Sequence, residues 1–373
     1  MKKIQMQLFA VTAPGLEDVC RNELLTLEIP DARAVVGGVE FSGGLRELYL
    51  ANLWLRSATR VLVRVGRFRS RDFPDLFRKT RGLPWGRFLR VGDNVSIRAT
   101  SHQSRLIHTG RIEETVAAAL AKALGPPAGE GTASPQQVVV RLDNDECLLS
   151  VDSSGERLHR RGYRLETAHA PLRETLAAGI LQLLGWDGEV PLVDPMCGSG
   201  TFPIEAALLA ANQPPGEKRS FAFMDWPHYR PGLWQALLSE AQKRERPVAV
   251  SLSGGDRDSA AVEAARRNGE RAGVSSVIQW LQRDCADWPA LSAPGLVICN
   301  PPYGARLSEA DGLGQVYRSL GDVLRRSFTD WDWAILCPDP TLAQATGLEL
   351  QLLTTLSNGG IQVGLWGRLQ KKS

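Results

Sequence analysis

The sequence predicts an α/β protein: a Rossmann-like, mostly parallel sheet ended by an antiparallel hairpin, preceded by a mixed α+β half. Three features carry this. From about residue 166, short apolar runs alternate with helical stretches. A Gly-x-Gly turn, Gly198-Ser199-Gly200, joins the first of those runs to its helix. Near the far end, Ser357-Asn358-Gly359-Gly360 separates two β-rich runs, and Asn-Gly in that setting signals a hairpin.

In order, the first half reads as strand 5–11 and, after Pro14-Gly15, helix 16–27. A short strand at 39–41 sits between Gly37-Gly38 and Gly43-Gly44, followed by helix 45–52 and a strand within 53–68. A second mixed unit has strand 95–99, helix 107–124, a Pro/Gly/Ser loop over 125–135, and paired strands 138–142 and 147–152. The second half is expected to place strands at 190–194, 248–252, 278–283, 296–300, 333–337, 348–356 and 361–366. Helices such as 201–212 and 259–273 fall between them. The expected divisions are 1–65, 66–155 and 166–373, with 156–165 as a linker.

The chain has 373 residues, 43% hydrophobic and 23% charged, which excludes a disordered, collagen-like or coiled-coil protein. No apolar run approaches the roughly 18–20 residues of a membrane span. Met1-Lys2-Lys3 leads into no long apolar run, so no signal peptide is expected. Six scattered cysteines (20, 147, 197, 285, 299, 337) form no CxxC pair, which argues against a disulfide scaffold or zinc site and for a reducing cytoplasm. The five histidines (102, 108, 159, 169, 228) have no metal-ligand spacing, so no metal is expected.

The net charge of +3 is a cancellation. Residues 1–165 carry 25 Lys/Arg against 18 Asp/Glu, whereas 166–373 carry 19 against 23. Between Arg56 and Arg111, 14 cations face three acids, with Phe68, Phe73, Phe77, Trp85 and Phe88 interleaved. Such a surface attracts phosphates through counterion release and offers aromatic faces to bases. The candidate contacts are Arg67, Arg69, Arg71, Arg78, Lys79, Arg81, Arg105 and Arg111, with Arg160 and Arg161 further along.

The chemistry-bearing residues stand at predicted strand ends. The first strand runs into Asp194-Pro195-Met196-Cys197-Gly198-Ser199-Gly200-Thr201. Without the third glycine of a dinucleotide fingerprint, this loop suits a zwitterionic amino-acid ligand: Asp194 faces the ammonium and loop amides the carboxylate. Asp256, beside Arg257, closes the second strand, where a carboxylate can hold ribose hydroxyls. Asp284, beside Cys285, closes the third and can accept from an adenine amino group. A lone Asp at a strand end also serves as a helix N-cap, but two at successive ends beside the loop point to a ligand.

At the fourth strand end stands Asn300-Pro301-Pro302-Tyr303. An exocyclic base amine is a poor nucleophile because its lone pair is delocalised into the ring. If Asn300 Oδ1 and the Pro301 carbonyl accept its hydrogens, the nitrogen can pyramidalise and aim a lone pair at a methyl donor. Tyr303 could stack on a base flipped from its helix. Cys299 lies in the apolar run and is expected to be buried, so covalent carbon methylation is not indicated.

A Rossmann-like sheet with a terminal hairpin is the plan of S-adenosylmethionine-dependent methyltransferases. Residues 194–201 and Asn300-Pro301-Pro302-Tyr303-Gly304-Ala305-Arg306-Leu307 resemble the THUMP-domain RNA methyltransferase family. So do Ala13-Pro14-Gly15-Leu16-Glu17, Leu158-His159-Arg160-Arg161-Gly162-Tyr163-Arg164 and Ala170-Pro171-Leu172-Arg173-Glu174-Thr175. The chain is most similar to bacterial 23S rRNA guanine-N2 methyltransferases of the RlmL type, with a single methyltransferase domain. The resemblance implies a ferredoxin-like module, a THUMP domain that binds structured RNA, and a catalytic domain using S-adenosylmethionine. The stretch 214–246 also matches a family insertion, whose Phe221, Phe223, Trp226, Tyr229 and Trp234 are expected to pack. Transfer RNA as substrate, adenine N6 as target, a catalytically idle RNA-binding assembly factor, and a nicotinamide oxidoreductase are the competing readings.

Overall fold

The computed structural model describes residues 5–125, 135–166, 172–291, 294–303 and 310–370. Its contacts divide the chain into two compact units. The first holds Met1–Thr12, Arg21–Leu158 and Arg219–Ser239; the second holds Ala13–Cys20, His159–Lys218 and Glu240–Ser373.

The first unit is built on a sheet of β1 (Met6–Thr12), β2 (Arg33–Val35), β3 (Gly38–Gly43), β4 (Ala58–Arg69), β5 (Val95–His102), β6 (Gln136–Asp143) and β7 (Glu146–Asp152). The order is β2-β3-β1-β4-β7-β6-β5. Helices α1 (Glu17–Thr26), α2 (Leu45–Trp54), α3 (Phe73–Arg81) and α4 (Thr109–Leu124) interrupt the strands in sequence. Strand β4 pairs with β1 through residues 58–64 and with β7 through 62–69. An expected domain boundary at 65/66 therefore falls inside a strand shared by both halves. The ladder shifts between Arg64 and Gly66, and a Cβ on Gly66 would lie 2.5 Å from the Leu83 side chain. The bulge and the missing Cβ together let Leu83 close over the join.

Helix α3 is additional to the expected elements, although Phe73, Leu76, Phe77 and Thr80 fall at helical spacing. Its local signals are nevertheless clear: Asp72 accepts from the Asp75 amide at 2.8 Å as N-cap, and Pro74 sits in the first turn. Leu76 and Thr80 face inward, while Arg78, Lys79 and Arg81 occupy the last turn, where the helix dipole favours cations. Strand β2 is also additional to the expected set. Asn144 and Asp145, both at positive φ, make the two-residue β6–β7 turn.

The aromatic stretch expected to pack does so inside this first unit. Tyr49 stacks on Phe223 at 4.4 Å between ring centroids, and Phe221, Tyr229 and Trp234 surround that pair. Trp226 packs edge-on to Phe88 and donates from Nε1 to Gln136 Oε1 at 2.8 Å. Trp226→Phe should keep the ring contact and lose that bond, lowering stability by about 1–2 kcal/mol in urea unfolding. An unchanged midpoint would show that the Trp226–Gln136 bond contributes nothing to stability.

The second unit holds β8 (Leu192–Asp194), β9 (Leu252–Asp256), β10 (Ile278–Gln282), β11 (Leu296–Cys299), β12 (Asp332–Cys337), β13 (Gln351–Asn358) and β14 (Ile361–Arg368). Its helices are α5 (Glu174–Leu183), α6 (Thr201–Ala210), α8 (Ser259–Ala272), α9 (Ala310–Ser327) and α10 (Pro340–Ala345); α7 (Pro231–Gln242) begins in the first unit. The order is β10-β9-β8-β11-β12-β14-β13, parallel except for β14, which runs antiparallel to both neighbours. Strand order reverses between β8 and β11, so the crevice for a ligand opens at their carboxyl ends.

Two expectations shift here. The second strand is Leu252–Asp256, not 248–252. Glycine is a weak strand former, yet a Cβ on Gly254 would meet the Trp280 ring at 2.8 Å, and one on Gly255 the Trp288 ring at 2.8 Å. The indoles fill the space that β-branched side chains would need. The hairpin turn is Gly359-Gly360, not Asn358-Gly359, because Asn358 pairs with Ile361. Both glycines have positive φ (63° and 94°), as a two-residue turn of this hand requires. No described helix is long and apolar enough to cross a membrane.

Candidate active site

Asp194 ends β8 and is 2% exposed. Its Oδ1 accepts from the Met196 amide at 3.1 Å, and no cation among the described residues pairs with it. Burial pushes its carboxyl well above the usual range; the Met196 amide opposes this, and the nearby Asp256 charge adds to it. A buried carboxylate of this kind suits a ligand that brings its own positive charge.

From Asp194 the chain turns sharply into α6. Gly198 and Gly200 have φ of 51° and 84°, and Gly200 is the left-handed N-cap residue of the helix. The Cys197 amide donates to the Gly255 carbonyl at 2.8 Å, and the Gly198 amide to Asp256 Oδ2 at 3.0 Å. Asp256 Oδ1 accepts from the Asp258 amide at 3.0 Å. The Asp256 carboxylate thus braces the glycine turn, and each oxygen retains lone-pair capacity for a further donor. The Pro195 ring and Met196 side chain complete the turn, with Met196 packed against the apolar cluster of α9 and β12. Arg257 is exposed at the rim.

Asp284 is exposed, and its Oδ1 accepts from the Ala286 amide at 3.0 Å as N-cap of a single 3-10 turn. The ordinary capping role is therefore present alongside the expected ligand role. Cys285 is buried, and burial raises its thiol to about 12. The Cys197 and Cys299 thiols are likewise pushed well up by burial, which keeps them out of thiolate chemistry.

Asn300 follows β11 directly, and its Oδ1 is buried with no hydrogen-bond partner among the described residues. Such an atom costs free energy unless a ligand satisfies it. Pro301 is buried behind it, Pro302 half-buried. Tyr303 is 4% exposed within the apolar core, and its hydroxyl accepts from Asn358 Nδ2 at 3.1 Å. Its ring offers no open face, so stacking on a base would require it to leave this packing. Residues 304–307 of the same motif, and 170–171 of another, lie outside the described residues.

The basic side chains divide. Arg67 makes two 2.7 Å bonds to Glu146 and stays 69% exposed. Arg71 and Arg69 converge on Asp145 at 2.7 and 3.8 Å, and the Arg105 amide donates to the same carboxylate at 2.8 Å. Arg78 and Lys79 share Asp75, while Arg111 lies 4.2 Å over the Phe73 ring. Arg81, Arg105 and Arg160 are exposed. Arg161 corrects the expectation. Its side chain is 2% exposed and donates from Nε to Glu205 Oε1 at 2.9 Å, so it is a buried structural cation and no surface RNA contact. Sequence reasoning also missed Arg164 and Asn268, whose side chains reach the glycine turn. Asn268 left one signal, a polar residue of weak helix propensity inside a strong helix.

Comparison with known proteins agrees with this arrangement. A family described as "RMKL-like, methyltransferase domain" matches residues 161–362, an RlmL ferredoxin-like domain matches 7–62, and a THUMP domain matches 70–152. The chain is 33% identical over 360 residues to slr0064, a provisionally named RNA methyltransferase of Synechocystis sp., covering 95% of this chain and 94% of that one. It is 36% identical over 372 residues to ribosomal RNA large subunit methyltransferase K/L of Methylococcus capsulatus, covering 96% of this chain and 50% of that protein. It thus spans about half the length of that K/L relative. The solved structure of SMU.472, a provisionally assigned methyltransferase complexed with SAH, superposes with a TM-score of 0.89 at 32% identity and covers 100% of both chains. The chain belongs to the RMKL-like methyltransferase family, with ferredoxin-like and THUMP domains ahead of its catalytic domain.

Proposed function

We propose that this protein methylates the exocyclic N2 of a guanine in large-subunit ribosomal RNA, with S-adenosylmethionine as methyl donor. The observation that carries the reading is the buried, unpartnered Asn300 Oδ1 beyond β11, the strand that pairs with the Asp194 strand at the point of reversal. The donor fits the residues present: Asp194 is a buried carboxylate with no cation paired to it among the described residues, and the two positive-φ glycines turn the chain tightly beside it. Asp194 and residues 195–201 would hold its amino-acid end, Asp256 with Arg257 its ribose, and Asp284 with Cys285 its adenine.

When bound, S-adenosylmethionine supplies an electrophilic methyl on positively charged sulfur. Asn300 Oδ1 and the Pro301 carbonyl accept the two hydrogens of the base amine and fix the direction of its lone pair. Neither is a base, so as the N–C bond formed and the methyl's S–C bond broke, leaving the donor as a neutral thioether, the surplus amine proton would pass to solvent. Pro301 and Pro302 stiffen the backbone that aims these acceptors. The arginines around Asp145 and on α3 hold RNA phosphates; their pairing with Asp75, Asp145 and Glu146 orients the guanidinium groups while leaving them open.

Labelled S-adenosylmethionine incubated with the protein and with both rRNA and transfer RNA from a strain lacking the enzyme tests the reading. The label is expected in N2-methylguanosine of the large-subunit RNA. Label found only in N6-methyladenosine, or only in transfer RNA, would overturn the base or the substrate respectively.

A further inference from the structure

Two buried polar side chains that are not among the expected site residues reach the turn between β8 and α6. Asn268 on α8 is fully buried, and its Nδ2 donates to the Ser199 carbonyl at 3.2 Å and the Glu166 carbonyl at 3.0 Å. Its Oδ1 accepts from Arg271 Nη1 at 2.9 Å, which fixes the amide's orientation. Arg164, with a 9% exposed side chain, donates from Nη2 to Thr201 Oγ1 at 3.0 Å and to the Leu172 carbonyl at 2.7 Å. Its Nε lies 3.1 Å from Glu174 Oε1.

Both bonds start from, or are shared with, the stretch 161–166, which has no regular structure of its own. That stretch is anchored at four points. Arg161 and the Tyr163 hydroxyl, the latter at 2.9 Å, reach Glu205 on α6. Arg164 reaches Thr201 at the start of the same helix, and Glu166 pairs with Arg267 and Arg271 on α8. Those two guanidinium groups hold the Glu166 carboxyl down at about 2. The strap thus ties both helices that flank the glycine turn.

The turn needs outside support. Gly198 and Gly200 have positive φ and no side chains, so each loses more backbone freedom on folding than another residue would. A Cβ on Gly200 would stand 2.9 Å from the Ala265 Cβ, and Ala265 lies one helical turn before Asn268. The same face of α8 therefore closes against Gly200 and holds the neighbouring carbonyl.

We infer that Arg164 and Asn268 are positioning residues that hold the 197–201 turn in its ligand-binding geometry, through the Thr201 hydroxyl and the Ser199 carbonyl. This rests on reading the turn as the S-adenosylmethionine site. Neither residue touches the reacting atoms, so their loss should weaken ligand binding and spare the chemical step.

The test compares R164K and N268D with Y163F. The first two remove the bonds to the turn while keeping charge or size. The third removes a buried bond from the same strap to Glu205, four residues beyond Thr201. Isothermal calorimetry at a temperature where all are folded should show the Kd for S-adenosylmethionine rising about tenfold in R164K and N268D. It should stay at the wild-type value in Y163F. Rates of transfer at saturating donor should stay within about twofold of wild type. Without any ligand, hydrogen exchange of the 197–201 amides should quicken in R164K and N268D and not in Y163F. Wild-type affinity in both turn variants, or equal weakening in Y163F, would overturn the inference. A wild-type chain that binds no S-adenosylmethionine removes the site assignment instead, and the exchange contrast then decides the positioning claim alone.

Discussion

Asn300→Ala should lower methyl transfer about 100- to 1,000-fold while leaving the protein at least as stable as the wild type. The activity loss follows from removing an acceptor that acts on the amine as it changes geometry, an effect of the size seen when one preorganised polar group is deleted. The stability forecast has the opposite sign to most core truncations. Asn300 Oδ1 is buried and unpartnered, and such an atom costs about 1–3 kcal/mol while it stays unsatisfied. Alanine removes that cost and opens a cavity small enough to offset only part of the gain. Single-turnover rates and a thermal unfolding curve on one preparation check both consequences. Retained activity would sink the amine-acceptor mechanism, and a large drop in Tm would show that Asn300 is structural.

Asp194→Asn should weaken S-adenosylmethionine binding about 100-fold while stabilising the ligand-free protein at neutral pH. The affinity loss reflects a buried charge pair left without its anion. The stability gain follows from burial, which raises the Asp194 carboxyl well above its ordinary value of 3.8. Between 3.8 and that raised value the folded chain keeps a proton that the unfolded chain has released. Stability linked to that proton is fully present below 3.8 and is lost as pH rises through the folded value. Asparagine carries no such dependence. Its advantage over the wild type should therefore grow with pH across that window and vanish in acid. Wild-type donor affinity should run the other way, falling as pH drops and Asp194 takes up its proton. Urea unfolding and calorimetry across pH 4–8 would read both; an N variant whose stability gain is the same at every pH would refute the buried-charge argument.

The site was legible in the sequence where its signals are local. A glycine turn after an apolar strand, and polar residues just past strand ends, can be read from neighbours alone, so Asp194, Gly198, Gly200, Asp256 and Asn300 stood out. Asp194 and Asn300 stand at the ends of the two strands between which the order reverses, Gly198 and Gly200 follow Asp194, and Asp256 ends the strand beside it. Asp284 shows the limit of such reading, since the same position serves as a cap for Ala286. Tyr303 shows another: its ring was assigned to a base, but the fold buries it against Asn358, 55 residues away in sequence.

The positions the sequence left open all turn on partners far along the chain. Arg161 looks like its exposed neighbour Arg160 until Glu205, 44 residues on, takes it inside. Gly254 and Gly255 lie beyond the expected strand at 248–252, but Trp280 and Trp288 fill the space above them and the strand runs through both. An aromatic run between α6 and β9 belongs to the core around Tyr49, and β4 carries one sheet across what composition divides in two. By itself the sequence determined the alternation of strands and helices in the second half, the hairpin and the residues at the strand ends, because hydrophobic period and turn chemistry act over a few residues. Only the tertiary structure decided which cations are buried, which polar atoms lack partners and what holds the glycine turn. Burial and hydrogen-bond satisfaction depend on groups brought together from distant parts of the chain, and no local pattern encodes them.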